Sequence, residues 1–177
     1  MSSFNKKGNL MDIIINDFKQ DDSPFLLEIY NHIVTSTKAI YRETPFSPQE
    51  WEQWVQTRLA HHFPIIVARD EATMHPIGFG SYHLFRAAQG YRYSYEHSLH
   101  VSEAARKKGV GARIMQAIIE RAKQQNGHLL IGVIDSENQE SIRFHQKFGF
   151  AISGTIPEVA QLHNEWREVV FMHKILE

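Results

Sequence analysis

The chain contains no cysteine. That absence excludes disulfides, thiolate metal sites and any acyl-cysteine intermediate. It has no surplus of either charge: 19 Lys and Arg stand against 20 Asp and Glu, a formal net charge of -1. No global field therefore draws it to nucleic acid or to an anionic membrane. No apolar run approaches a membrane span and the N-terminus has no signal-peptide core, so the cytoplasm is the expected compartment. Two phosphate signatures are also missing. There is no G-x-x-x-x-G-K-[ST], and no G-x-G-x-x-G follows a strand-like run, which argues against P-loop and dinucleotide sites. The 11 histidines show neither H-x-x-x-H nor H-E-x-x-H spacing, and no metal site is expected.

What is present reads as an ordinary globular chain, 42% hydrophobic and 22% charged over 177 residues. One domain is expected over residues 11–177, behind a polar leader at 1–10 that reads as flexible. A first strand is predicted over Ile13–Phe18. A helix follows from Asp21–Pro24 with Leu26, Ile29, Ile33 and Val34 on one face, and a second runs from Pro48 to before Pro64. Strands are predicted over Ile65–Arg69, Ile77–Phe85 and Tyr91–Val101, the last two antiparallel. A helix opening at Gly109 stops at Asn126-Gly127, a left-handed terminator. Strand Leu129–Ile134, a short helix over Ser136–Phe148, and strands Phe150–Ile156 and Glu168–Ile175 complete the chain. Hairpins mixed with strand–helix–strand units predict an α/β, mixed sheet with helices on both faces.

The most informative stretch is Arg106-Lys107-Lys108-Gly109-Val110-Gly111. It lies between a strand and a helix whose Val110, Ile114, Ile118 and Ala122 share one face. A helix's first turn leaves backbone N–H groups unpaired and carries partial positive charge. Glycines let the backbone approach a ligand, and the three cations add full charge. These parts suit a phosphate-bearing ligand. In the strand before the loop, alternation places Tyr95, His97, Leu99 and Val101 on one face, and Glu96, Ser98 and His100 on the other. A ligand anchored on the loop would carry its reactive end past Glu96.

With these segments the chain resembles the GNAT superfamily of acetyl-CoA-dependent N-acetyltransferases. Arg106 to Gly111 matches the signature Q/R-x-x-G-x-G/A. Asn138, Ser141, Gly149 and Phe150 match N-x-x-[AS]-…-G-F, with His145 where many members carry tyrosine. Within the superfamily it is similar to the phosphinothricin and methionine sulfoximine/sulfone acetyltransferases. The matching blocks are Phe85-Arg86, Tyr91-Arg92, Glu96 to Val101, Ser141 to His145, Gly154-Thr155 and Trp166 to Met172.

The resemblance implies a GNAT fold: a mostly antiparallel sheet splayed at an acetyl-CoA cleft. It implies pyrophosphate on Arg106, Lys107, Lys108, Gly109, Val110, Gly111 and Ala112. Pantetheine would run along Leu99, His100 and Val101 with Asn138 and Ser141 nearby. Glu96 matches the family's proposed base, and His145 is the second acid–base candidate, since imidazole titrates near neutral pH. Direct transfer in a ternary complex then follows the absence of a cysteine nucleophile. Arg86, beside Phe85, offers a planar fork for a carboxylate or phosphinate, and Tyr41 and Arg42 could close the pocket opposite. His100, Gln161-Leu162 and His163-Asn164-Glu165 depart from the closest family pattern on the expected acceptor side. The resemblance implies a small amino-acid-like amine of the phosphinothricin or methionine sulfoximine/sulfone type as acceptor, with a peptide or protein N-terminus or another amine, or a non-catalytic acyl-CoA-binding module, as alternatives. A homodimer is expected from the family habit and from Trp51, Trp54 and Trp166.

Overall fold

Pairing in the computed structural model, which describes residues 12–177, builds one seven-stranded sheet. The expected leader lies outside the described residues. The elements are β1 (Ile13–Asp17), α1 (Ser23–Ser36), α2 (Pro48–Ala60), β2 (Ile65–Asp70), β3 (Pro76–Leu84) and β4 (Ser94–Val101). They continue with α3 (Val110–Gln124), β5 (Leu129–Asp135), α4 (Gln139–Lys147), β6 (Ala151–Leu162) and β7 (Glu165–Ile175). The strand order is β1-β2-β3-β4-β5-β7-β6, and every neighbouring pair is antiparallel except β4 with β5.

Helices cover both faces, and the sheet separates two cores. On one face Val110, Ile114, Met115, Ile118 and Ala122 of α3 pack with Tyr82, Tyr95, Leu130 and Met172. On the other, Leu26, Ile29 and Ile33 of α1 and Trp51 and Val55 of α2 pack against Val67 and Phe79. Trp51 is thus a core residue, 1% exposed and stacked on Trp54, and not an interface aromatic; Trp166, at 60%, is exposed. The α2 start follows from local chemistry. Ser47 accepts from the Glu50 N–H while Glu50 accepts from the Ser47 N–H, ahead of Pro48 at the first turn.

The parallel β4–β5 ladder has only three register pairs: Ser94–Leu129, Tyr95–Leu130 and Glu96–Ile131. Beyond Glu96, β4 stays paired with β3 to Val101, and β5 stays paired with β7 to Asp135. The two strands therefore part, leaving a cleft that begins at Glu96 and Ile131.

The short helix expected from Ser136 starts at Gln139, where Asn138 caps it, and three strand ends differ from expectation by three residues or more. The strand expected from Tyr91 starts at Ser94, because Gln89–Tyr91 closes a tight turn with the Tyr91 N–H bonded to Ala88 O. The strand expected to stop at Ile156 continues to Leu162 despite Pro157. It is an edge strand, and its register shifts between Ile156 and Ala160, where a missing N–H costs no ladder bond. β7 begins at Glu165 instead of Glu168, because His163 and Asn164 both take positive φ (50° and 64°), the conformation of a two-residue hairpin turn.

Candidate active site

The basic loop ends at Gly109, whose φ of +86° makes it a left-handed N-cap for α3. No side chain caps this helix, so the N–H groups of Val110, Gly111 and Ala112 are left for a ligand; the Arg113 N–H already bonds Gly109 O. α4 differs: Asn138 Oδ1 accepts from the Ser141 N–H at 3.0 Å, leaving only its Nδ2 donors free for a ligand. Arg106, Lys107 and Lys108 are exposed around the bare end. A depression of about 430 Å³ also reaches the loop, lined by Lys108, Gly109, Ala112 and Arg113. Asp12 and Glu71 also line it, and their carboxylates disfavour phosphate there.

From this loop the cleft runs back along β4. Phe85 N bonds Ser94 O and Ser102 N bonds Ile77 O, which sets the phase of the β3–β4 ladder. Alternation then turns the backbone groups of Ser94, Glu96, Ser98 and His100 towards β3, and those of His97, Leu99 and Val101 towards β5. Past Glu96 that side is open, so Leu99 and Val101 present unused amide groups to the cleft. His100 does not: its backbone faces β3, and its ring packs on Phe79 and Tyr30.

Glu96 points to the α1/α2 face, where it and His100 are half-buried while Ser98 between them is exposed. Burial raises the Glu96 pKa above the usual carboxylate value, partly offset by the charges of Arg86 and Arg58. Arg86 is exposed and lies over the Phe85 ring at 4.9 Å. Arg58 was not anticipated from sequence. It comes from the last turn of α2, packs over Trp54 at 4.9 Å, and reaches His83 Nδ1 at 3.4 Å. Burial first, then Arg58, lowers the His83 pKa to about 4, so its ring is neutral and accepts.

His145 lies on the other face, 6% exposed, against an equally buried His97. Their Nε2 atoms are 3.1 Å apart. His97 Nδ1 donates to Ile131 O at 2.9 Å, and His145 Nδ1 lies 2.7 Å from Ser141 O and 3.4 Å from Ser141 Oγ. Two neutral imidazoles carry two N–H hydrogens for three contacts, and the carbonyls of Ile131 and Ser141 can only accept, so one of the three contacts holds no hydrogen while both rings are neutral. Burial lowers both pKa values, that of His97 to about 3 with a further contribution from His145. Both nitrogens of His145 are engaged, so this candidate acid–base residue offers none to a substrate in this arrangement. Gly132 makes room for the pair: a Cβ there would lie 3.2 Å from His145 Cδ2 and Nε2 and 3.3 Å from His97 Cε1.

Tyr41 and Arg42 are also committed. The Tyr41 hydroxyl donates to Asp135 Oδ2 at 2.6 Å, while Arg42 donates to Thr44 O and Glu50 and covers Phe46. Asp135 in turn receives Arg167 Nε and Nη2, each at 2.9 Å, with both side chains buried. This triad fastens the α1–α2 loop to the far strands of the cleft. No sequence signal pairs residues 41, 135 and 167, since only the β5–β7 pairing and the loop path bring them together. Among the described residues, no group of three or more His, Cys, Asp or Glu is placed to hold a metal, and no helix is long and apolar enough to cross a membrane.

A splayed mixed sheet, an uncapped helix behind a basic glycine loop, and an open amide rail define an acyl-transfer architecture. The Acetyltransferase (GNAT) family model matches residues 26–150. The chain belongs to that family and is an acyltransferase. It is 39% identical over 167 residues to an L-methionine sulfoximine/L-methionine sulfone acetyltransferase of Pseudomonas aeruginosa, covering 94% of this chain and 96% of the relative. Among solved structures, a ribosomal-protein-alanine N-acetyltransferase from Brucella melitensis superposes with TM-score 0.89 at 37% identity, covering 92% and 99% of the two chains. A phosphinothricin acetyltransferase from Sinorhizobium meliloti in complex with acetyl-CoA gives 0.88 at 29%, covering 93% and 88%.

Proposed function

We propose that the domain spanning residues 11–177 transfers the acetyl group of acetyl-CoA to the α-amino group of a small amino-acid-like acceptor, of the methionine sulfoximine, methionine sulfone or phosphinothricin type. The observation that carries this reading is the half-buried Glu96, flanked by Arg58 and Arg86 where β4 and β5 part, one strand length from the bare end of α3. The printed activity of the Pseudomonas relative supports the acceptor class.

In this reading Arg106 to Lys108 and the N–H groups of Val110, Gly111 and Ala112 hold pyrophosphate. Leu99 and Val101 line the pantetheine, with Asn138 and Ser141 opposite. Acetyl-CoA supplies the acetyl group as a thioester. An ammonium has no lone pair, so Glu96, its pKa raised by burial, takes the proton directly or through a water. The nitrogen then attacks the thioester carbon in a ternary complex; the C–N bond forms, the C–S bond breaks, and the surplus proton on the nitrogen passes to the departing sulfur, which leaves as the thiol. Leu99 and Val101 offer N–H groups for the carbonyl oxygen as it gains charge. Arg86 holds an oxygen group of the acceptor.

The Brucella relative favours a second acceptor, a protein N-terminus. Thiol release measured against methionine sulfone, phosphinothricin and an alanine-terminated peptide separates the two. Turnover of the first two supports the amino-acid reading, and turnover of the peptide alone overturns it. A homodimer belongs to the same proposal, because edge strand β6 exposes Ile152, Ile156 and Val159, and Trp166 is exposed on neighbouring β7. Light scattering tests it, a mass twice the 20.6 kDa of the chain being expected and a monomer refuting it.

A further inference from the structure

Arg58 is a cation without a carboxylate. Arg42, Arg69, Arg121 and Arg167 each pair with an acidic side chain. Arg58 forms no such pair among the described residues. Its Nε is buried without a hydrogen-bond partner, and its hydrogen bond is a long one, 3.4 Å, to the neutral ring of His83. Stacking on Trp54, four residues earlier on the same helix, holds the guanidinium in place. Burial lowers the Arg58 pKa, against the Glu96 charge. A partly buried guanidinium held this way costs desolvation that the Glu96 charge offsets only in part, and its planar fork suits a carboxylate.

An α-amino acid carries its amine and its carboxylate on one carbon. A base for that amine and a cation for that carboxylate must therefore be neighbours. Glu96 and Arg58 meet this condition on one face of the sheet: Arg58 reaches His83 Nδ1 at 3.4 Å, and His83 on β3 is the register partner of Glu96 on β4. Arg86, exposed at the end of β3, is left for the oxygen-rich end of the acceptor's side chain.

We propose that Arg58 binds the α-carboxylate of the acceptor and so restricts the enzyme to free α-amino acids, whose carboxylate a peptide N-terminus lacks. This inference rests on the amino-acid reading above. It makes Arg58 a specificity-determining residue, selecting by a charge-assisted bond that an amide cannot make.

The test compares L-methionine sulfone with its α-carboxamide as acceptors, using wild type, Arg58→Met and Arg58→Lys. Wild type should favour the free acid in kcat/KM. Arg58→Met should lower that acid-to-amide preference by roughly 10–100-fold, mainly through KM for the acid, the scale of a lost charge-assisted pair. Arg58→Lys, which keeps the charge and loses the fork, should fall between and decides the matter if Arg58→Met does not fold. Equal losses on both acceptors would make Arg58 a structural support or a modulator of Glu96, and an unchanged preference would leave it outside the site; either overturns the inference. Wild type inactive on both acceptors would instead overturn the amino-acid reading itself.

Discussion

Acid should unfold this protein through its buried imidazoles, and His97 allows that loss to be measured for a single proton. His97 is depressed to about 3 by burial and by His145, partly opposed by its bond to Ile131 O. In the unfolded chain it titrates near 6.5. Below that value the unfolded state takes up a proton that the folded state refuses, so the stability His97 contributes is full above about pH 6.5 and falls as pH drops. The slope is about 1.4 kcal/mol per pH unit, which makes roughly 2 kcal/mol between pH 6.5 and 5.0. His97→Asn removes this titration but keeps a donor near the Nδ1 position for Ile131 O. At pH 7.5 the variant should be less stable by about 1–3 kcal/mol, because His145 Nε2 loses its partner. Urea unfolding of both proteins from pH 7.5 to 5.0 should show this gap closing by about 2 kcal/mol. A gap constant across the range would mean that the pair already holds an extra proton in the folded state, and would refute the assignment of a neutral pair.

Glu96→Gln should lower kcat by roughly 10²–10⁴-fold with little change in acetyl-CoA affinity. Because a raised carboxyl pKa opposes folding once pH exceeds it, the variant should be at least as thermally stable as wild type at pH 7; wild-type kcat would place the base elsewhere. Gly109→Val meets no neighbour within 4 Å but must hold φ +86°, a strain of about 1–2 kcal/mol. Calorimetry should show at least a tenfold loss of acetyl-CoA affinity, and undiminished affinity would sink the phosphate-loop assignment. Arg167→Met strands the buried Asp135 and should cost about 3–5 kcal/mol by chemical unfolding. A loss under 1 kcal/mol would show that Tyr41 alone suffices.

Local signals read well where local physics decides. The α2 start, the Gly109 start of α3 and the Asn126-Gly127 stop all follow from neighbours within a few residues. The β6–β7 boundaries did not, because Pro157 reads as a strand breaker unless its place on the sheet edge is known. The faces of β4 were legible by parity but not by environment: Glu96 and His100 lie under α1 and α2, not in solvent. Of the expected acceptor-side residues, Tyr41 and Arg42 proved engaged with Asp135 and Glu50, while Arg58 and His83 carried no motif to announce them.

By itself the sequence determined the helices, the succession of strands, the basic glycine loop and the order of blocks that marks the family. Each of these is written in periodicity, caps and turns between near neighbours. Only the tertiary structure decided where β4 and β5 part, which β4 amides stay free, that His97 and His145 close on each other across Gly132, and that Arg58 stands near Glu96 without an ion-pair contact. Those depend on strand register and on contacts between residues 38 and 48 positions apart, which no local pattern records.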